Sequence, residues 1–367
     1  MLSLEYKRAV QAQPELFGHD LNLPPVNDKG AMSFEARKTA FDHLLFFSQP
    51  KPQLRAVTEE DLDLTICERW VPLEKQTEGK EKLEERQGGE AWHLLRKEGV
   101  TGSILANAVG MFGYIGLLSV WADKYCSASD AHALREKLTL MKKAAGIVEP
   151  SPLDERIGQE RMGWGSPCEI HATATILKHL GPLYNIRLSE AVSMQVKMTP
   201  DMLKVMEEHV TKVWGESWES QKEFWAKKFI ATSPDALGVF LNTMIEFVVE
   251  IKCGYGNRSP KLFTKVPGYY YLQCQAHCIA KNVKACLFVS WTPEKTRMWW
   301  VLRDDRVMLE ALPLLMDFHA AGVRRQIPEP SVMCSERMQR VAEMCDKPAL
   351  KPLELGVFKS CLSARAG

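Results

Sequence analysis

Several functional classes are excluded by what the sequence lacks. Its ten cysteines include no C-x-x-C pair, and thiolate metal sites draw on such close pairs, so a zinc ribbon is not expected. The formal net charge is only +1, so no global field marks a polyanionic partner, although a local one could. There is no internal repeat and no low-complexity tract. The opening Met1-Leu2-Ser3-Leu4-Glu5-Tyr6-Lys7-Arg8 has no apolar signal-peptide core. Together with free thiols, this points to a reducing intracellular compartment, cytoplasm or nucleus, without secretion. Long apolar runs are scarce as well. One uncharged run, Ile104 to Trp121, nearly reaches membrane length, but it holds Asn107, Ser119, Gly110, Gly113 and Gly116. It is read as buried core helix and not as a membrane span.

What remains is an ordinary globular composition, 46% apolar and 25% charged over 367 residues. This length suits one large domain or two modest ones. Residues 1–75 carry turn punctuation at Leu23-Pro24-Pro25 and Ser48-Gln49-Pro50-Lys51-Pro52, and Lys75 to Arg86 is a solvated Lys/Glu mixture. A helical pattern begins at Gly88. Gly163-Trp164-Gly165-Ser166-Pro167 predicts a turn before a helix from about Cys168 to Leu180. Thr199-Pro200-Asp201 predicts a helix start, with Thr199 as N-cap, running to about Trp225 with a break at Gly215. Strands are predicted at Phe229–Leu237, Glu246–Cys253, Ala285–Trp291 and Arg297–Leu302, and helices at Tyr269–Ala280, Arg306–Ala321 and Ser331–Cys345. Helices flanking a few strands indicate an α/β or α+β core.

Chemistry concentrates at Thr232-Ser233-Pro234-Asp235, read as the end of one strand, and Val248-Val249-Glu250-Ile251-Lys252, read as the next. Side chains alternate along a strand, so Glu250 and Lys252 share one face while Phe247, Val249 and Ile251 take the other. If the two strands pair, Asp235 comes close to Glu250. Two converging carboxylates repel, and a hard divalent cation relieves the repulsion; magnesium needs few carboxylates and keeps waters for a phosphate substrate. An isolated E-x-K triplet would more often be a surface ion pair worth under ~1 kcal/mol. The surrounding residues add to the case. Between Ile251 and Pro293 there is no Asp or Glu, while Lys252, Arg258, Lys261, Lys265, Lys281 and Lys284 occur. Such a stretch can hold a phosphate backbone without reading bases. His93, His171 and His277 have no partner at zinc spacing and are read as ordinary histidines.

S-P-D-A-L (Ser233 to Leu237) followed by V-E-I-K-C (Val249 to Cys253) resembles the PD-(D/E)XK nuclease signature. It is most similar to the phage lambda exonuclease group, the YqaJ-type viral recombinases or alkaline exonucleases. Four further ordered segments resemble that group: Trp92 and Arg96 with Thr101-Gly102-Ser103, the W-G-x-x-x-E-x-x-A pattern from Trp164 to Ala172, Asn257-Arg258, and Gln273-Cys274-Gln275. The resemblance covers about residues 87–302 and implies a PD-(D/E)XK core, a central mixed β-sheet flanked by helices. It implies an exonuclease domain over 86–321, between a helical extension of unknown role at 1–85 and a helical tail at 322–367.

By the same resemblance, Asp235, Glu250 and the Ile251 carbonyl would hold the principal magnesium, for which manganese would substitute. Glu169 would reach a second metal, Lys252 would act on the attacking water, and Gln273 would orient the site. Gln275 ranks lower, facing elsewhere on its helix. Arg96, Ser103 and Arg258 would form a pocket for a terminal 5′-phosphate, a task that suits guanidinium forks. As bland alternatives, Arg96 could be a helix-surface charge and Ser103 an N-cap. Lys261 and Lys265 would contact the DNA backbone. The implied partners are double-stranded DNA with free ends, a homotrimer ring and a single-strand annealing protein, with no membrane. The implied activity is 5′→3′ degradation of one strand of linear duplex DNA. The alternatives are an endonuclease, an iron–sulfur exonuclease and a catalytically inactive DNA-end-binding module. Cys334, Cys345 and Cys361 are too widely spaced for the iron–sulfur enzyme, and the retained Lys252 and carboxylates argue against inactivity. The sequence departs from the group in a long insertion at 182–228 and in Gly254, where a proline often follows.

Overall fold

The computed structural model describes residues 69–71, 76, 90–144, 152–226, 229–254, 260–328 and 335–361. Arg258 and nearly all of the 1–85 segment therefore lie outside the described residues. In chain order the elements are β1 (Trp70–Val71), α1 (Glu90–Glu98), β2 (Val100–Thr101), α2 (Leu105–Ala108), α3 (Gly113–Tyr125), α4 (Ala128–Ala144) and α5 (Pro152–Tyr184). There follow β3 (Ile186–Glu190), β4 (Met194–Gln195), α6 (Pro200–Glu208), α7 (Trp218–Ala226), β5 (Ile230–Thr232), β6 (Ala236–Phe240) and β7 (Ile245–Lys252). The chain closes through α8 (Gly268–Lys281), β8 (Ala285–Trp291), β9 (Lys295–Leu302), α9 (Asp305–Val323), α10 (Glu336–Asp346) and β10 (Leu353–Lys359).

A seven-stranded mixed sheet runs β1-β3-β6-β7-β8-β9-β10, and a small sheet runs β2-β5-β4. In the large sheet β7 lies between antiparallel β6 and parallel β8. Both faces of β7 are covered, which explains its nearly continuous apolar run. Phe247, Val249 and Ile251 enter one core with Ala172, Ile176, Leu177 and Leu180 of α5. Val248 enters the other core, with Leu272, Ala276 and Ile279 of α8. The alternation read from the sequence is the one observed, and the mixed sheet flanked by helices is the expected α/β core.

Local packing fixes the β6–β7 register. Gly238 pairs with Phe247, and the Phe247 ring occupies the space a Cβ at 238 would need. Gly238→Ala should therefore destabilise the protein by about 1–3 kcal/mol through overpacking. Chemical denaturation would measure it, and an unchanged midpoint would contradict this packing.

Several expected elements need correction. The predicted strand Phe229–Leu237 is two strands in different sheets, β5 and β6, separated at Ser233-Pro234-Asp235. Pro234 has no backbone N–H for a ladder, so the chain changes sheets there. Asp235 thus lies in the link just before β6 and does not end the earlier strand. The predicted turn at Gly163–Pro167 lies inside α5; the packing of its C-terminal half outweighs the local breaking signals. The tail expected to be helical carries β10, antiparallel to β9 in the large sheet. The apolar run Ile104–Trp121 is divided between α2 and α3 by a turn in which Gly110 and Gly113 adopt φ of 84° and 73°. Among the described residues no helix is long and apolar enough to cross a membrane.

The insertion contributes the unpredicted strands β3 and β4, while its two punctuation signals fall where the sequence places them. Thr199 Oγ1 accepts from Met202 N at 3.3 Å, capping α6. The helical path breaks at Gly215, with φ of 68°, before α7.

Candidate active site

A cavity of about 150 Å³ opens where the small sheet meets the ends of β6 and β7. Its wall includes Arg96, Ser103, Glu169, Asp235, Glu250, Lys252 and Gln273. Seven residues named from the sequence thus converge, from α1, the turn after β2, α5, the link before β6, β7 and α8. Arg258 lies outside the described residues. Lys261 and Lys265 are exposed and do not line the cavity.

Strand pairing places the carboxylates. Asp235 N donates to Val249 O at 3.0 Å, and Asp235 Oδ2 accepts from Ile251 N at 2.5 Å. Asp235 is therefore fastened to the backbone of the strand that carries Glu250. Glu250 itself is buried on the α8 face, 1% exposed. Its Oε2 accepts from His277 Nε2 at 2.8 Å. Its Oε1 forms an ion pair with Lys252 Nζ but makes no hydrogen bond of good alignment.

The electrostatics reflect this crowding. Burial works against the Glu250 carboxylate, but Lys252 and His277 outweigh it and hold its pKa down to about 2. Asp235 goes the other way. Burial and the neighbouring Glu250 raise it well above the carboxylate range, assisted by Glu169 and only partly offset by Lys252. Glu169 is also raised, by burial and by Glu250, against the pull of Lys252. Lys252 is kept charged above its ordinary range because Glu250 and Asp235 overcome the burial that disfavours it. Its ammonium also lies 5.0 Å from the centre of the Tyr270 ring.

Three carboxylates thus surround one ammonium. Among the described residues no three His, Cys, Asp or Glu side chains form a ready-made metal cluster. The donor chemistry nonetheless fits a hard divalent cation, which can bind through one or two carboxylates while keeping several waters. Glu250 Oε1 is a buried oxygen with no well-aligned hydrogen bond, and ionisation of Asp235 is opposed by its neighbours. A cation would relieve both conditions.

Beside this centre, Arg96 lies over the Trp92 ring at 4.4 Å and its Nη2 donates to Ser103 Oγ at 3.3 Å. Thr101 Oγ1 lies 3.3 Å from the same hydroxyl. Lys124 fastens the end of α1 by donating to the carbonyls of Arg96 and Lys97. Trp92 Nε1 donates to Ser233 Oγ at 3.1 Å, and Ser233 is 2.8 Å from Ser193 Oγ. Gly102 approaches the strand-end residues closely. A Cβ there would sit 2.6 Å from Thr232 Oγ1, so glycine lets this turn lie against β5.

The model of the YqaJ-like viral recombinase domain matches residues 91–280, just over half of the chain. The chain belongs to this family. The matched segment of the YqaJ-like domain carries all seven converging residues of the cavity wall. No curated protein matches. Among solved structures, an alkaline exonuclease from Laribacter hongkongensis aligns at 18% identity with a TM-score of 0.35. The same enzyme in complex with dAMP aligns at 17%, also with a TM-score of 0.35. Each alignment covers 64% of this chain and 93% of the other. Likenesses this distant do not extend to activity, and family membership rests on the domain match alone.

The YqaJ-like domain also places at the site residues to which the sequence reading gave no role. Ser193, contributed by the insertion, and Thr101, Thr232 and Ser233 line the cavity. His277, read from the sequence as an ordinary histidine, contacts Glu250 directly. Its signal was available: it stands four residues after Gln273 and so shares that residue's helix face. Gln275 points elsewhere, as expected, donating to Leu302 O at 3.0 Å and accepting from Asp304 N at 2.6 Å. The carboxylate-free basic stretch is not unopposed in space. Lys281 pairs with Glu246 at 3.2 Å, and Lys265 lies 4.0 Å from Asp346.

Proposed function

We propose that this protein is a magnesium-dependent exonuclease that degrades the 5′-ended strand of linear duplex DNA, releasing 5′-mononucleotides and leaving a 3′ single strand. Membership of the YqaJ-like viral recombinase family supports a nuclease role. The observation that carries the finer reading is the sharing of one cavity by the Asp235–Glu250–Lys252 centre and the Arg96–Ser103 pair.

Asp235 and Glu250, with the Ile251 carbonyl, would hold the principal magnesium, and Glu169 a second ion; manganese would substitute. Bound magnesium supplies Lewis-acid polarisation of the phosphate and a more acidic water. The chain's own groups do the rest. Lys252 orients the attacking water and offsets the charge that accumulates on the phosphate oxygens. Gln273, at the cavity wall, orients the scissile group. Arg96 and Ser103, with Arg258, grip the terminal 5′-phosphate, and that grip turns a phosphodiesterase centre into one that starts at an end. Lys261 and Lys265 accompany the duplex backbone. A ring of three copies would keep the enzyme on its duplex, and a single-strand annealing protein would receive the exposed strand.

The test is digestion of a 5′-phosphorylated linear duplex, its 5′-hydroxyl counterpart and a closed circle in magnesium. The phosphorylated end should be degraded fastest and the circle spared. Equal cutting of the circle would establish an endonuclease instead. Arg96→Lys, which loses the bidentate fork, should reduce the preference for the phosphorylated end by roughly 10–100-fold. An undiminished preference in that variant would remove Arg96 from the end pocket.

A further inference from the structure

His277 is an unusual occupant of a core helix. It is fully buried, with 0% exposure, and both ring nitrogens are engaged. Nε2 meets Glu250 Oε2 at 2.8 Å, and Nδ1 meets Thr232 Oγ1 at 2.5 Å. The residues of this chain of contacts come from three elements: β7, α8 and β5. A carboxylate can only accept, so Nε2 carries the hydrogen, and the Thr232 hydroxyl serves the opposite nitrogen. Thr232 is itself confined by Gly102, whose missing side chain leaves room for it.

The consequence falls on Glu250. A carboxylate at a strand end could rotate to offer either oxygen, or both. Here Oε2 is tied back toward α8, while Oε1 is ion-paired with Lys252 Nζ and has no well-aligned hydrogen bond. We propose that His277, backed by Thr232, is a positioning residue that reserves Glu250 Oε2 and leaves Oε1 as the single oxygen offered to a divalent cation. The proposal rests on the nuclease reading and deepens it. His277 touches neither DNA nor the cation; it acts through Glu250. The principle is general: partners that hydrogen-bond a ligating carboxylate or imidazole fix its orientation, and their loss weakens metal binding about ten- to a hundredfold.

The experiment is titration of the full-length protein with Mn²⁺ alone, read as loss of the free Mn²⁺ electron paramagnetic resonance signal. It is paired with the Mn²⁺ dependence of DNA cleavage, and circular dichroism reports folding. His277→Ala should weaken Mn²⁺ binding by about 10–100-fold. The Mn²⁺ concentration needed for cleavage should rise with it, with little change in the KM for DNA. His277→Gln retains an N–H donor at similar reach and should recover most of the binding. Thr232→Val removes only the supporting hydroxyl and should cost about 2–10-fold, the worth of one hydrogen bond. A folded His277→Ala protein that binds Mn²⁺ like wild type overturns the proposal. So does equal weakening in His277→Ala and His277→Gln, which would assign the loss to packing. If His277→Ala does not fold, unchanged binding in Thr232→Val overturns it. Wild-type protein that neither binds Mn²⁺ nor cuts DNA refutes the nuclease reading itself; wild-type activity with indifferent variants refutes only the role of His277.

Discussion

Asp235→Asn is expected to abolish DNA cleavage and, in the absence of divalent cation, to raise the melting temperature at neutral pH. The first effect follows from the role proposed for Asp235, since an amide is a poor substitute for a charged oxygen ligand. The second follows from its surroundings. Asp235 is buried beside Glu250 and Glu169, and its pKa is held well above the ordinary 3.8. An acid whose folded pKa is raised binds its proton more tightly in the native state, so ionisation favours unfolding. This penalty is absent below 3.8 and grows as pH rises toward the raised value. Asparagine removes the charge yet can still accept from Ile251 N. The gain should be on the order of a few degrees at neutral pH and should shrink as the medium becomes more acidic. Magnesium should raise the melting temperature of wild type more than that of the variant. Calorimetry in chelator and in magnesium would measure both, with DNA binding in calcium as the control for an intact surface. Wild-type cleavage by the variant would show that the site is assigned wrongly.

Lys252→Met should have the opposite effect on stability and the same effect on activity. The cleavage rate should fall by about 10²–10⁴-fold, the usual worth of a positioned charge or proton-transfer group. Glu250, 1% exposed, would lose the cation paired with Oε1 and keep only His277. Breaking a buried pair from one side costs about 3–5 kcal/mol. Lys252 keeps 23% of its side chain exposed, so the lower part of that range is expected. The pH dependence has a definite sign. Glu250, with its pKa depressed to about 2 from 4.5, contributes stability above 4.5 and loses it as pH falls toward 2. In Lys252→Met that contribution should diminish, flattening the acid limb of the stability curve. Adding Glu250→Gln should recover much of the stability and none of the activity, since the neutral amide no longer needs the ammonium. A double variant no more stable than Lys252→Met would contradict the pair as the source of the cost.

Features set by local spacing were legible in the sequence. Alternation along Phe247–Lys252 put Glu250 and Lys252 on one face and the apolar residues on the other, because the strand period is two wherever the strand lies. Thr199 capped a helix and Gly215 broke one because caps and positive φ are properties of a few adjacent residues. Gln273 and Gln275 diverged because two helical positions are about 200° apart. The ordered motif segments from Trp92 to Gln275 were likewise readable, and they fall within the matched domain.

Other features required the tertiary structure, because they depend on which distant segments meet. The placement of Asp235 just ahead of β6, held against β7, came from the change of sheet at Pro234 and the hydrogen bonds to β7. The basic stretch after Ile251 lost part of its free charge to Glu246 and Asp346, which lie outside that stretch. The edge strand β10 joined β9 through a register that the Leu353–Lys359 segment does not announce by itself. His277 shows the difference most clearly. Its helical spacing from Gln273 fixed the face it occupies. Only the packing of α8 across β7 and β5 made it a neighbour of Glu250, because such contacts depend on sheet register and helix placement, which no local spacing specifies.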